Sequence, residues 1–137
     1  MSNNLLLTGY VTVRKFGGYA LPVPMQNKLL RAYAFENQFT YKLPLVETCI
    51  LDNYMYLFDT IESCKNSSDI AMCSIYMFPK DANKFELLYS KISKKKLRFH
   101  FIFENSVISS DDIEEFYMNS RLRYLNGEIS KQISDIL

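Results

Sequence analysis

Very little net charge is carried by this sequence: 16 Lys and Arg stand against 15 Asp and Glu, a formal +1. Nothing in that balance demands a nucleic-acid or anionic-membrane partner. No apolar stretch approaches the length of a membrane span, and no charged leader precedes a long apolar run. Tryptophan is absent and histidine occurs once, as His100 inside an apolar run. The three cysteines, Cys49, Cys64 and Cys73, lack metal-ligand spacing, so no metal site is expected. A cytoplasmic protein with reduced thiols follows as the expectation. The glycine fingerprint of dinucleotide folds, the P-loop and the Gly-x-Ser-x-Gly elbow are all missing. Nucleotide binding through those devices is thereby excluded, acyl transfer is disfavoured, and no cofactor is expected.

What the chain does have is apolar and aromatic mass. Hydrophobic residues make up 48% of the 137 positions, and ten Tyr and ten Phe supply all the aromatics. Such a chain has enough surface to bury, so residues 1–137 are expected to form one ordered domain rather than a disordered segment.

Apolar runs alternate with helical patterns along the sequence. Leu5 to Val13 reads as a first strand; Pro24 to about Asn37 carries Met25, Leu29, Leu30 and Tyr33 at helical spacing. Phe39 to Leu43 is a second strand stopped by Pro44. Tyr54, Leu57, Phe58 and Ile61 mark a second helix, with Asp52 or Asn53 as its cap. Ile70 to Phe78 reads as a buried third strand ended by Pro79; Phe85, Leu88 and Ile92 mark a third helix. Lys94-Lys95-Lys96 then reads as a solvated turn into a fourth strand, Leu97 to Phe103. Residues 109–137 form a C-terminal helical segment, opened by Ser109-Ser110-Asp111-Asp112 and broken near Asn126-Gly127.

This alternation predicts an α/β three-layer sandwich with a four-stranded, mostly parallel sheet in the order 2-1-3-4, helices on both faces, and room for one short added strand. The outline is flavodoxin-like or resolvase-like. Ligands of such sheets bind beyond the carboxyl ends of the strands, where strand order reverses. Arg14, Glu47, Tyr76 and the pair Glu104-Asn105 all follow strands at that edge.

The run Gly9-Tyr10-Val11-Thr12-Val13-Arg14, then Phe16-Gly17-Gly18, then Pro22-Val23-Pro24-Met25-Gln26-Asn27 resembles the opening of the sporadic carbohydrate cluster protein family. Leu43-Pro44-Leu45-Val46-Glu47 and Phe103 to Ile108 are similar to its later motifs, so the resemblance spans about residues 8 to 110. It implies a place in bacterial surface-carbohydrate biosynthesis, of lipopolysaccharide or capsule. The order of elements also resembles the catalytic domain of serine recombinases. Here, however, Arg14 stands where that family's nucleophilic serine lies, and Thr12 where its arginine lies. Strand cleavage is therefore not implied, and no nucleic-acid partner is expected.

Each candidate residue has a functional and an ordinary reading. Arg14 either clamps an anion, helped by backbone amides at Gly17 and Gly18 and the helix start near Pro24, or makes a surface ion pair. Gln26 and Asn27 either offer amides to sugar hydroxyls or are first-turn polar residues. Glu47 and Glu104 are the general acid/base candidates; both can instead pair with Arg14 or cap helices. Asn105 either orients a substrate hydroxyl or ties its loop to backbone, and Tyr76 either walls a pocket or packs in the core. His100 reads more readily as a satisfied core residue than as a catalytic one.

The resulting expectation is a protein that binds a sugar acid, sugar phosphate or nucleotide sugar, as an isomerase, epimerase or lyase. The alternative is a non-catalytic binding or assembly subunit for another enzyme of the pathway. Leu122, Leu125, Ile129, Ile133 and Ile136 lie on roughly one helix face, which makes a homo-oligomer expected unless that face packs on its own sheet.

Overall fold

A computed structural model of the protein describes residues 5–18, 20–47 and 54–136, with side chains described as far as Leu125. The first apolar run is divided. Leu5–Gly9 forms β1 and Val11–Thr12 forms β2, with Tyr10 between them donating its N–H to the Ala71 carbonyl at 2.9 Å. Beyond that point the chain leaves the main sheet, and β2 pairs in parallel with β4, Val46–Glu47.

Helix α1, Val23–Glu36, begins after an extended Pro22 whose carbonyl accepts the Met25 and Gln26 N–H groups. Its buried face is Gln26, Leu30 and Ala34; Met25, expected inside, is 47% exposed. The i, i+4, i+8 series opens on a glutamine, which hydrophobic periodicity alone passes over. Strand β3, Phe39–Lys42, follows. Helix α2, Met55–Ser63, buries Leu57 and Ile61; the expected caps Asp52 and Asn53 lie outside the described residues.

Strand β5 spans only Asp69–Met72, shorter than the expected run to Phe78. The backbone bends because the Ser74 hydroxyl accepts the Tyr76 N–H at 3.2 Å, which turns Ile75–Met77 into one 3-10 turn. Helix α3, Ala82–Lys95, is capped by the Asp81 carboxylate on the Asn83 N–H at 2.8 Å and ends at Lys96 in left-handed conformation. The lysine run thus closes a helix rather than forming a free turn. Strands β6, Arg98–Phe101, and β7, Ser106–Ser109, are joined by the 102–105 turn. Helix α4 runs unbroken from Ile113 to Ile136, so the expected stop at Asn126-Gly127 does not occur. One interior glycine costs only about 1 kcal/mol and a long helix absorbs it.

The main sheet has five strands in the order β3-β1-β5-β6-β7: the first four are parallel and β7 is antiparallel to β6. It is therefore a mixed α/β sheet with a separate two-stranded ribbon, not the four-stranded 2-1-3-4 arrangement expected. The difference has two sources: the antiparallel hairpin at the edge and the departure of β2 with β4. Successive residues of a strand point to opposite faces. Leu7 and Ala71 meet Leu30 and Ala34 of α1 on one face. Ile70, Met72, Phe99 and Phe101 meet α2, α3 and the first turns of α4 on the other. Phe78 is the hub of that second cluster, with ring contacts to Phe85, Phe99, Phe101 and Tyr117.

Candidate functional site

The carboxyl ends of β5 and β6 are joined by a carboxylate clamp. Glu104 accepts the Ile75 N–H at 2.6 Å through one oxygen and the Ser74 hydroxyl at 2.9 Å through the other. Burial pushes the Glu104 carboxyl above its ordinary value, with those two hydrogen bonds pulling the other way. The carboxylate thereby fixes the 75–77 turn. Asn105, exposed and left-handed at φ 49°, donates its N–H to the Ile102 carbonyl and closes the adjoining turn.

Arg14 approaches the same turn from the other side. Its Nη2 donates to the Tyr10 hydroxyl at 3.0 Å and to the Met77 carbonyl at 3.4 Å. Its guanidinium carbon lies 3.9 Å from the Tyr54 ring centroid, and Nη1 is 4.0 Å from Glu47. Glu47 is wholly buried. It accepts the Tyr10 hydroxyl at 3.1 Å, the Tyr56 N–H at 2.9 Å and the Leu57 N–H at 3.3 Å. A carboxylate on the first-turn amides of α2 is a cap acting from a distant strand, favoured by the positive end of the helix. The structure thus brings Arg14 and Glu47 together, with Glu104 beyond the turn, but spends all three on holding backbone.

Gln26 is committed in the same way. Its side-chain amide donates to the Thr12 and Leu21 carbonyls, each at 2.7 Å, and accepts the Thr12 N–H at 3.1 Å. It ties β2 to α1, and both of its N–H donors are taken by backbone carbonyls. Asn27 accepts the Tyr41 hydroxyl at 2.8 Å, which ties α1 to β3. His100 is buried between the Tyr33 hydroxyl at 2.6 Å and Asp69 at 2.8 Å, and Arg98 also donates to Asp69 at 2.6 Å. Burial lowers the His100 pKa against the pull of Asp69. This is a satisfied histidine under α1.

A cavity of about 200 Å³ does open at this end, lined by Gly17, the 75–80 segment and α4. Of the expected residues, Gly17 and Tyr76 line it. Gly17 is left-handed at φ 57°, and a Cβ there would sit 3.1 Å from the Tyr76 ring. Gly18 is also left-handed and has open space around its Cα. The Tyr76 hydroxyl donates to the Ser120 carbonyl at 3.0 Å, and the Tyr117 hydroxyl donates to the Pro79 carbonyl at 2.5 Å. Arg121 donates to the Lys80 carbonyl and to the Tyr117 hydroxyl. These contacts dock α4 on the turn and leave a hollow walled by Tyr76, Phe78, Tyr117 and Tyr124, with the cations Lys80 and Arg121 among its lining. Among the described residues, no acidic one lines it.

Tyr117, Ser120, Arg121 and Tyr124 are site residues that sequence reasoning missed. Their i, i+3, i+4, i+7 spacing was the available signal, a polar-aromatic face on one helix. Among the described residues, no group of three His, Cys, Asp or Glu side chains is placed to hold a metal, and no helix is long and apolar enough to cross a membrane. No protein-family model matches the chain, and no curated protein matches it in sequence.

Proposed function

We propose that this protein binds a small anionic sugar derivative in the cavity between the 75–80 segment and α4. The observation that carries the reading is the lining: four aromatic rings and two cations around about 200 Å³. Aromatic walls offer flat apolar faces to the C–H face of a sugar ring, while Lys80 and Arg121 suit a carboxylate or phosphate. Drug-sized ligands fill pockets of roughly 300–1,000 Å³, so a single sugar acid or sugar phosphate fits better than a nucleotide sugar. The likeness to the sporadic carbohydrate cluster family supports the sugar class and a role in bacterial surface-polysaccharide biosynthesis, in the cytoplasm.

Binding takes precedence over catalysis in this reading, because the carboxylates expected to move protons are bonded to backbone. The protein then serves as a binding or assembly subunit beside another enzyme of its pathway. The second reading is an isomerase, epimerase or lyase. It is favoured by Glu104, whose raised pKa and position at the foot of the Tyr76 turn suit a general acid once the turn moves.

Calorimetric titration with glucuronate, N-acetylneuraminate, glucose 1-phosphate and neutral glucose tests the proposal. Saturable binding of at least one anion is expected, weakened about tenfold or more by loss of one charge-assisted contact in Lys80→Ala and absent for glucose. Lys91→Ala, whose side chain pairs with Glu62 and is not among the lining residues, should leave the affinity of folded protein unchanged. No saturable binding, or binding indifferent to both Lys80→Ala and Tyr124→Ala, refutes it. Turnover lost in Glu104→Gln with binding intact selects the enzyme.

A further inference from the structure

Two cations line the cavity, and among the described residues neither is paired with a carboxylate. Lys80 is exposed, and its Nζ lies 5.7 Å from the Tyr124 ring centroid. Arg121 is half-buried and donates to the Lys80 carbonyl and to the Tyr117 hydroxyl, both through Nη1. The Nη2–Nε side of its guanidinium is left for a two-pronged contact with an oxyanion. By holding the Lys80 carbonyl, Arg121 also keeps the two charged side chains as neighbours.

Outside the lining, charges of both signs act on its tyrosines. Glu104 acts on Tyr76 and Asp81 on Tyr117, while Arg123 opposes Glu104 at Tyr76. Both acids are bonded to backbone amides, Glu104 to that of Ile75 and Asp81 to that of Asn83, and neither lines the hollow. Coulomb energy falls with distance and with intervening solvent, so the two lining cations dominate what a guest meets.

Building on the sugar-binding reading of this cavity and narrowing its ligand class, we infer that it selects a dianionic sugar monophosphate over a monoanionic sugar acid. Arg121 grips two phosphoryl oxygens and Lys80 pairs with the third. A carboxylate has one charge and two oxygens, so one guanidinium fork satisfies it and the second cation stays unmatched. A phosphate monoester carries about 1.5 to 2 negative charges at pH 7 and three terminal oxygens, enough for a fork and an ammonium together. The rings of Tyr76 and Tyr124, with centroids 5.6 Å apart and tilted by 46°, touch each other and form one wall. The sugar therefore lies against that wall rather than between two plates.

Calorimetric titration at about pH 7 with glucose 6-phosphate, glucose 6-sulfate and glucuronate tests the selection. All three carry their anion at the same end of a hexose; the sulfate keeps the tetrahedral shape with a single charge, and glucuronate is planar with a single charge. Wild type is expected to bind the phosphate at least about tenfold more tightly than either monoanion, the worth of one added charge-assisted contact. In Lys80→Gln and Arg121→Gln that ratio should fall toward one. Lys80→Gln removes only an exposed charge, so it carries the test if Arg121→Gln loosens α4. Monoanions bound by wild type as tightly as the phosphate overturn the inference and leave sugar-anion binding standing. So does a phosphate preference undiminished in Lys80→Gln, or AMP bound more tightly than glucose 6-phosphate. No binding of any of these ligands refutes the sugar-binding reading itself, and the phosphate preference with it.

Discussion

Removing the Glu47 side chain is the sharpest probe of how the site end of the molecule is held. Three donors converge on this carboxylate from β1–β2 and α2: the Tyr10 hydroxyl and the amides of Tyr56 and Leu57. In Glu47→Ala all three lose their acceptor, at Tyr10 and Leu57 in a fully buried setting and at Tyr56 in a half-buried one. Each orphaned donor costs about 1–3 kcal/mol, less where water can enter or where the bond was long, as at Leu57. The Arg14 pair at 4.0 Å adds little geometry but leaves a cation short of one counter-charge. The expected total is about 3–5 kcal/mol, a large part of the roughly 5–15 kcal/mol that stabilises a typical domain. For a chain of this size that lowers Tm by roughly 10–20 °C. Glu47→Gln keeps one carbonyl acceptor and should cost about 1–2 kcal/mol. Urea unfolding followed by circular dichroism gives both values, with the midpoint moving and the slope unchanged. An alanine variant within about 1 kcal/mol of wild type would refute the account of Glu47 as a remote helix cap. So would a glutamine variant as damaging as alanine, because the bonds would then not be what matters.

Two further perturbations test other parts of the argument. Gly17→Ala forces a left-handed alanine, costing about 1–2 kcal/mol, and pushes its Cβ to 3.1 Å from the Tyr76 ring; both a lower Tm and weaker anion binding are expected, and a variant unchanged in both would contradict the cavity geometry. His100 supplies a pH test. Burial holds its folded pKa below the ordinary 6.5, so the unfolded chain takes up the proton first. Its contribution to stability is full above pH 6.5 and is lost as pH falls from there through the folded pKa. Glu104 works in the opposite sense, its raised pKa making stability fall as pH rises through it, but that contribution is common to wild type and variant. The slope of Tm between about pH 7.5 and 5.5 should therefore be shallower in His100→Gln, and equal slopes count against the assignment.

Strand and helix identities were legible wherever apolar spacing was clean. Leu57 and Ile61, or Phe85, Leu88 and Ile92, declared their helices because their buried faces hold only apolar residues. The sequence was misleading where a polar side chain took a backbone role. Gln26 occupies a core position on α1, Ser74 and Glu104 cut β5 short, and Glu47 caps a helix ten residues later in the chain. Apart from the local Ser74 turn, each of these contacts joins residues that no local pattern connects. The same cause explains the candidate site. The rim position of Arg14, Glu47 and Glu104 was readable from strand ends, but whether their bonding capacity remained free depended on long-range partners. The cavity itself needed α4 folded back on the 75–80 segment, a tertiary event that the Tyr117–Tyr124 spacing only hinted at.

The two sides of the cavity are fastened differently, and that difference divides their tasks. The 75–77 turn is gripped from one flank by Glu104 and from the other by Arg14, and it follows β5, an interior strand of the main sheet. The opposing helix is held by single hydroxyl and guanidinium contacts to carbonyls. For the ligand we propose, the consequence would be a floor held on both flanks and a wall adjustable at a few polar contacts, so that tolerance of bulk would fall to α4 and discrimination of stereochemistry to the turn that carries Tyr76.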